Sequence, residues 1–385
     1  MTTLIDTPEA LSAFCARLSA ADFVTVDTEF LREKTYWPQL CLIQMAGPDE
    51  AAAVDPLAEG MDLAPFYDLM ADTSVLKVFH AARQDVEIFV HQDGRVPTPL
   101  FDSQVAAMVC GFGESVGYEA LATKLAKARI DKSQRFTDWS HRPLTERQLD
   151  YAMADVIPLR TVYEKLRGKL DANGRAPWIE EEMAVLTDPA TYRVDPEQSW
   201  KRLKARTTNP RFLARLREVA AWRERTAQAK NVPRNRIIKD DGLLEVAAHA
   251  PRTTADLARM RAVGRGLAEG NSGQQILEAV RRAEALPESD CPQVPKKPEP
   301  AKNAGPLVDL LKVLLKARCD QGDVAQKLVA NAADLEQLAA DDDADINALH
   351  GWRRELFGAD ALKLKHGEVA LVADDGRVEL VELED

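Results

Sequence analysis

Strand-like apolar runs are confined to roughly the first 165 residues of this 385-residue chain, and beyond Gly168 the pattern is helical. That division requires an α/β layer in the N-terminal part and helix-on-helix packing in the rest. The runs at 23–27, 39–45, 51–54 and 76–80 predict buried strands. Helical spacing predicts helices at 7–18, 64–71, 83–91, 103–110, 118–126 and 145–166. The last opens on Thr145, an N-cap residue type, with Glu146 in the first turn. Strands cluster early and helices dominate later, so a mixed sheet is expected rather than a regular parallel one.

The length allows two or three domains. Residues 168–208 read as a helical connector broken by Pro177, Pro189 and Pro196. A helical unit follows at 209–286. Six prolines between Leu286 and Pro306 predict an extended linker over 287–306. A second helical unit spans 307–371, and 372–385 form an acidic tail. The two helical units are similar in length and layout, which suggests a diverged duplication.

The formal net charge is −12, yet residues 200–285 hold nineteen Lys/Arg against nine Asp/Glu. An excess of ten positive charges in an acidic chain points to an anionic ligand at that stretch, the alternative being a solvated helical face. Five scattered cysteines without a CxxC pair exclude a zinc ribbon and argue against a disulfide framework. Histidines are equally dispersed, so a bound metal would need carboxylate ligands, which favours hard cations such as Mg²⁺ or Mn²⁺. The polar start Met1–Glu9 has no leader-like apolar segment, and no apolar run reaches the roughly 20 residues of a bilayer span. A cytoplasmic protein without membrane contact is expected. With no GxxxxGK[ST] loop, no nucleotide cofactor is expected either.

Three short segments carry acids at placements that imply chemistry. In Val26-Asp27-Thr28-Glu29-Phe30, two acids sit two apart at the end of an apolar strand, so both project to one side. In Phe79-His80-Ala81-Ala82-Arg83-Gln84-Asp85, a strand enters a helix with Asp85 in its first turn, where it would also complement the helix dipole. In Tyr151-Ala152-Met153-Ala154-Asp155, Tyr151 and Asp155 share one helical face, as a ligand site or as a simple hydrogen-bonded pair. Four carboxylates at one spot repel unless cations neutralise them. Two divalent ions about 4 Å apart can bridge such a cluster and act on a phosphodiester.

These segments resemble the three exonuclease motifs of the DEDD superfamily, in its tyrosine subclass. Asp27-Thr28-Glu29-Phe30-Leu31-Arg32-Glu33-Lys34-Thr35-Tyr36-Trp37-Pro38 and Asp138-Trp139-Ser140-His141-Arg142-Pro143-Leu144 resemble the ribonuclease D family, and the likeness covers essentially the whole chain. The resemblance implies a ribonuclease H-like (DnaQ-like) α/β catalytic domain over 1–167, its mixed sheet flanked by helices, followed by two all-α HRDC bundles. It implies Asp27, Glu29, Asp85 and Asp155 as ligands of two Mg²⁺ or Mn²⁺ ions. Asp27 would bridge both ions, Glu29 and Asp155 would hold the nucleophile-side ion, and Asp85 would support the second ion through water. Tyr151 would orient the attacking water; its phenol, titrating near 10, is a poor base. The implied activity is 3′→5′ hydrolysis of RNA releasing nucleoside 5′-monophosphates, with tRNA precursors and other small structured RNAs as substrates. Thr28 and His80 are candidates to touch the terminal nucleotide, His80 having the alternative of a packed strand end. Trp139 and Arg142 either fix a loop or stack on a base.

Residues 209–286 resemble an HRDC domain, chiefly through Ala229-Lys230-Asn231-Val232-Pro233-Arg234-Asn235-Arg236-Ile237-Ile238. Lys230, Arg234, Arg236 and Lys239 form a basic run suited to the RNA backbone rather than to bases. Gly351-Trp352-Arg353-Arg354-Glu355-Leu356-Phe357-Gly358 resembles the closing helix of a second HRDC module. With Asp341, Asp342, Asp343 and Asp345 in one loop, that module is expected to pack or shape an entrance rather than bind RNA strongly. A DNA exonuclease and a non-catalytic nucleic-acid-binding protein are the competing readings.

Overall fold

The computed structural model describes residues 3–293 and 304–383. The chain falls into two compact units, one built from residues 1–29, 42–191 and 297–385, the other from 30–41 and 192–296. The early apolar runs become strands: β1 (Thr3–Ile5), β2 (Phe23–Leu31), β3 (Gln39–Ala46), β4 (Ala51–Val54), β5 (Leu76–Phe79) and β6 (Leu100–Asp102). They form one sheet in the order β1-β4-β3-β2-β5-β6. Pairs β1/β4, β2/β5 and β5/β6 are parallel and β3/β4 is antiparallel, so the sheet is mixed as expected. β3 is buried along all but its first residue, which needs cover on both faces. The three-residue strands β1 and β6 escaped the sequence reading because they are too short to show alternation.

Helices flank the sheet: α1 (Pro8–Leu18), α2 (Ala64–Ala71), α3 (Arg83–Asp93), α4 (Ser103–Val109), α5 (Tyr118–Leu121), α6 (Glu146–Ala172) and α7 (Ala176–Thr187). A π-helical turn, Ala122–Ala126, follows α5. The Thr145 cap of α6 is a full capping box with Gln148. Pro158 lies inside α6 and has no N–H for the Ala154 carbonyl four residues back. The Tyr118 hydroxyl donates to that carbonyl at 3.0 Å. Two residues on, the Thr25 hydroxyl of β2 donates to the Val156 carbonyl at 2.8 Å. These two bonds pin α6 on either side of Asp155.

The expected connector over 168–208 is not one element. α6 continues to Ala172 and α7 belongs with the sheet, while the short 3₁₀ turn Pro196–Arg202 belongs to the other unit. That second unit contains α8 (Pro210–Lys230), α9 (Arg234–Ile237), α10 (Asp240–His249), α11 (Thr254–Ala258), α12 (Arg265–Glu269) and α13 (Asn271–Ala285). Leu216, Val219, Trp222, Leu243, Val246, Leu257, Ile276 and Val280 form its core. Gly273 is required there, since a Cβ would lie 1.9 Å from the Ala268 carbonyl oxygen. Residues 30–41 join this unit through polar bonds. The Asn231 side chain, at the left-handed cap of α8, accepts from the Tyr36 and Trp37 backbone N–H groups at 3.1 and 3.0 Å. The Tyr36 hydroxyl donates to Glu224, which is 1% exposed and also accepts two bonds from Arg234.

Half of the expected 287–306 linker, residues 294–303, lies outside the described residues. After it come α14 (Ala304–Gly322), α15 (Gln326–Val329), α16 (Ala332–Ala340), α17 (Gly351–Arg353), a π turn at Arg354–Gly358 and α18 (Ala359–His366). The acidic end is not a plain tail. β7 (Val369–Asp374) and β8 (Arg377–Glu382) form an antiparallel hairpin closed by Asp375-Gly376, both with positive φ. Asp-Gly between alternating apolar residues is a hairpin signal, masked in the sequence by the surrounding acids.

This C-terminal region does not stand apart but groups with the sheet-containing unit. Trp352 stacks on Trp178 of α7 with ring centroids 4.3 Å apart, and Arg353 pairs with Glu181 and Glu182 while donating to the Leu328 carbonyl at 2.6 Å. Arg353→Ala would strip Glu182 of its cation in a largely buried setting. Chemical denaturation is expected to show a loss of about 3 kcal/mol, the lower end of the range for orphaning one partner of a buried pair. An unchanged midpoint would remove this contact from the account.

Candidate active site: a buried carboxylate cluster

β2 delivers Asp27 and Glu29 from the sheet centre, and α6 delivers Asp155 from the segment pinned by Thr25 and Tyr118. Carboxylate oxygens of Asp27, Glu29 and Asp155 lie within 4.8 Å of one another. Asp85, in the first turn of α3, is outside that trio but close enough for its charge to act on Asp27 and Glu29. The turn that presents Asp85 is unusual. Ala81 takes a left-handed backbone with φ of 61°, and the Asp102 carboxylate accepts the Ala81 and Ala82 N–H groups at 2.9 Å each. A strained non-glycine residue held this way fixes the entry of α3.

Burial, joined at Asp27 and Glu29 by repulsion from the other acids, raises all four carboxyl groups. Burial first, then Asp155, Asp85 and Glu29, push Asp27 well above the ordinary carboxylate range. Glu29 is pushed up to about 9 by burial and then by Asp155 and Asp85. Asp85 and Asp155 each rise to about 7, mainly from burial, with opposing hydrogen bonds from Thr28 and Tyr151 respectively. Such a site favours hard divalent cations, because Arg135 alone offsets only part of the negative charge of four carboxylates. The donor set therefore fits a divalent metal.

Tyr151 hydrogen-bonds Asp155, and burial followed by Asp155, Glu29 and Asp27 drives its phenol far above its usual range. It is a hydroxyl at neutral pH, suited to orienting a water and not to removing a proton. Thr28 is buried and donates its hydroxyl to Asp85, so its side chain is engaged in seating that acid rather than free for a nucleotide. His80 packs against Tyr118, with ring centroids 5.5 Å apart and Nδ1 3.0 Å from the Ser103 hydroxyl. Burial lowers its pKa and outweighs Asp102. The packed reading of His80 describes these contacts.

Trp139 is 2% exposed with its ring 6.0 Å from that of Tyr151. Arg142 forms a bidentate pair with Asp55, both bonds 2.7 Å, and donates to the Trp139 carbonyl. This pair fixes the loop before α6; it does not present a stacking face. Arg234 is turned inward onto Glu224 and over the Tyr36 ring, which removes it from the exposed basic run. Lys230, Arg236 and Lys239 remain exposed. Sequence reasoning missed Asp102, Tyr118 and Arg135, whose charge acts on Glu29, Asp155 and Tyr151. Each lies outside the acidic motifs, and only the fold brings it to them.

A family model described as 3′-5′ exonuclease matches residues 2–171, and an HRDC domain model matches 212–280. Ribonuclease D of Granulibacter bethesdensis is 52% identical over 98% of this chain and 96% of its own length. Ribonuclease D of Nitrobacter hamburgensis is 53% identical over 98% and 99%. The chain belongs to the ribonuclease D family. The crystal structure of Escherichia coli RNase D, described as an exoribonuclease involved in structured RNA processing, superposes with a TM-score of 0.82 at 30% identity, covering 95% of this chain and 99% of that one. As a ribonuclease D, the protein is a 3′→5′ exoribonuclease. The exonuclease match ends at residue 171, one residue before α6 does.

The raised acids carry a stability consequence. Glu29 titrates near 4.5 when unfolded and near 9 in the fold, so the folded metal-free protein retains a proton that the unfolded chain has released. The contribution is complete below about pH 4 and declines as pH rises toward 9. Glu29→Gln is therefore expected to raise the Tm of metal-free protein at pH 8, with the advantage vanishing near pH 4, while Mg²⁺ stabilises wild type more than the variant. A lower Tm for the variant at pH 8 would contradict the repulsion argument.

Proposed function

We propose that this exoribonuclease cleaves the terminal phosphodiester with two divalent cations, Mg²⁺ or Mn²⁺, held by Asp27, Glu29, Asp85 and Asp155. The observation that carries the reading is the convergence of the Asp27, Glu29 and Asp155 oxygens within 4.8 Å in a half-buried site. Bound cations there supply Lewis-acid charge for the scissile phosphate. Asp27 lies deepest in charge repulsion, which suits a ligand shared by both ions. Asp85, seated by Thr28 and set apart from the trio, suits an outer role. Tyr151, anchored on Asp155 and backed by Trp139, orients the attacking water through a hydroxyl that stays protonated. This assigns the chain to the tyrosine subclass, with nucleoside 5′-monophosphates as products.

The description of the E. coli relative supports structured RNAs as substrates here; tRNA precursors remain the expectation drawn from the family resemblance. Exposed Lys230, Arg236 and Lys239 are the backbone-contact candidates of the HRDC unit. The C-terminal helices, with their Gly351–Gly358 turn packed on Trp178, are read as a second HRDC-like module serving as a support. None of the helices in the described residues is long and apolar enough to cross a membrane, in keeping with work on RNA in the cytoplasm.

Asp27→Asn is expected to lower kcat by three orders of magnitude or more, on the order of the several kcal/mol a metal site supplies. Chromatography of the wild-type reaction on 3′-labelled RNA should reveal a nucleoside 5′-monophosphate, abolished by EDTA and restored by Mg²⁺; a nucleoside diphosphate would mean phosphorolysis and end this mechanism. In the Asp27→Asn background, Lys230→Ala, Arg236→Ala and Lys239→Ala should each reduce the salt slope of RNA binding by about 1. Arg234→Ala should instead lower the Tm, as Glu224 loses its partner. Equal salt slopes in all four would show that the run does not touch RNA.

A further inference from the structure

The segment between the π turn and α6 holds a pair of side chains that the catalytic account leaves unused. Phe136 is 91% exposed, well above any other large apolar side chain among the described residues, the next being Val185 at 57%. It is not on a loose strand of chain. Asp131 caps the short 3₁₀ turn Lys132–Gln134 by accepting from Ser133 N–H, and Lys132 pairs with Glu119 of α5. On the other side, the Thr137 hydroxyl donates to the Gln134 carbonyl at 2.8 Å and accepts from the Gln148 side chain at 3.2 Å. Gln148 is the capping-box residue of α6, the helix that carries Tyr151 and Asp155. An apolar ring is thus held out in solvent by a loop braced on the catalytic helix.

Its neighbour supplies the second half. The Arg135 guanidinium lies 5.3 Å from the Phe136 ring centroid. Its charge acts on Glu29, Asp155 and Tyr151, and its loop is braced on the helix that carries the last two. A planar cation that acts on this cluster and an exposed ring next to that cation offer partners for a phosphate and for the base that adjoins it through one sugar. Arginine engages phosphate oxygens in bidentate fashion. Stacking on a ring is tolerant of base identity because every base has a π face, which suits an enzyme that must accept each successive 3′ residue.

We propose that Arg135 and Phe136 form the terminal-nucleotide subsite of this chain, Phe136 stacking on the unpaired 3′ base and Arg135 engaging the phosphate to be cleaved. The proposal rests on the exoribonuclease activity of the family and adds the residues that grip the substrate end. It also gives the enzyme a reason to prefer a single-stranded end, since a paired base offers no free face to Phe136.

The test uses the full-length protein with Mg²⁺ and two RNAs identical except at the 3′ end, one carrying a normal nucleotide and one an abasic ribonucleotide, and follows the first cleavage. On intact RNA, Phe136→Ala is expected to raise KM about tenfold, in the range of one lost base stack, with kcat little changed. Phe136→Tyr should restore the wild-type KM. On the abasic-ended RNA, Phe136→Ala and wild type should behave alike, because the stack is missing in both. Arg135→Ala should raise KM on both substrates, since both retain the phosphate. Unchanged KM for Phe136→Ala on intact RNA, as expected of a ring that docks another protein, would overturn the subsite, and so would an equal loss on both RNAs. If wild type failed to shorten intact RNA at all, the fault would lie with the activity itself and not with the subsite.

Discussion

Like charge confined in a buried space is the constraint on which the rest of this structure depends. Asp27, Glu29 and Asp155 converge to within 4.8 Å with Asp85 at their margin, and burial raises all four. A protein gains no stability from such an arrangement without cations. The surrounding scaffold must therefore hold the acids against repulsion. Functional sites commonly carry this kind of stored cost, compensated by consistent packing elsewhere.

The compensation is visible in how each acid is delivered. β2 runs through the middle of the sheet between β3 and β5, so Asp27 and Glu29 ride on its most constrained strand. α6 is broken in its hydrogen-bond ladder by Pro158, and Tyr118 takes up the carbonyl that proline leaves. Asp102 holds the left-handed Ala81 that opens α3, and Thr28 fastens Asp85. Arg142 on Asp55 steadies the loop that leads into α6. The segments that carry Asp85 and Asp155 are thus tied down by polar contacts. Rigid placement is what two closely spaced cation sites demand.

The helical unit uses a different economy. Its positive excess looked in sequence like a phosphate-binding surface, but part of that charge is turned inward. Arg234 and Arg223 pair with Glu224 and Asp240, and Arg215, Arg225 and Arg282 also have acidic partners. Tyr36, at the end of the motif that begins with Asp27, hydrogen-bonds into this cluster rather than to any ligand. Local charge counts overstate binding capacity when half of the cations have structural partners.

Much of the catalytic part was legible because its signals are local. Apolar runs marked β2, β3, β4 and β5, the Thr145 cap and helical spacing marked α6, and acids at strand ends and helix turns marked the carboxylates that the fold gathers. Other features depended on contacts distant in sequence. Tyr118 meets the Ala154 carbonyl across 36 residues, Arg234 meets Tyr36 across 198, and Arg353 meets Glu181 across 172. No pattern along the chain encodes such partners. The sequence by itself determined which residues could bear the chemistry, since residue type and strand or helix periodicity are properties of short segments. Only the tertiary structure decided which of them are exposed, which are spent on buried partners, and how close the carboxylates come, because those follow from packing between segments far apart in the chain.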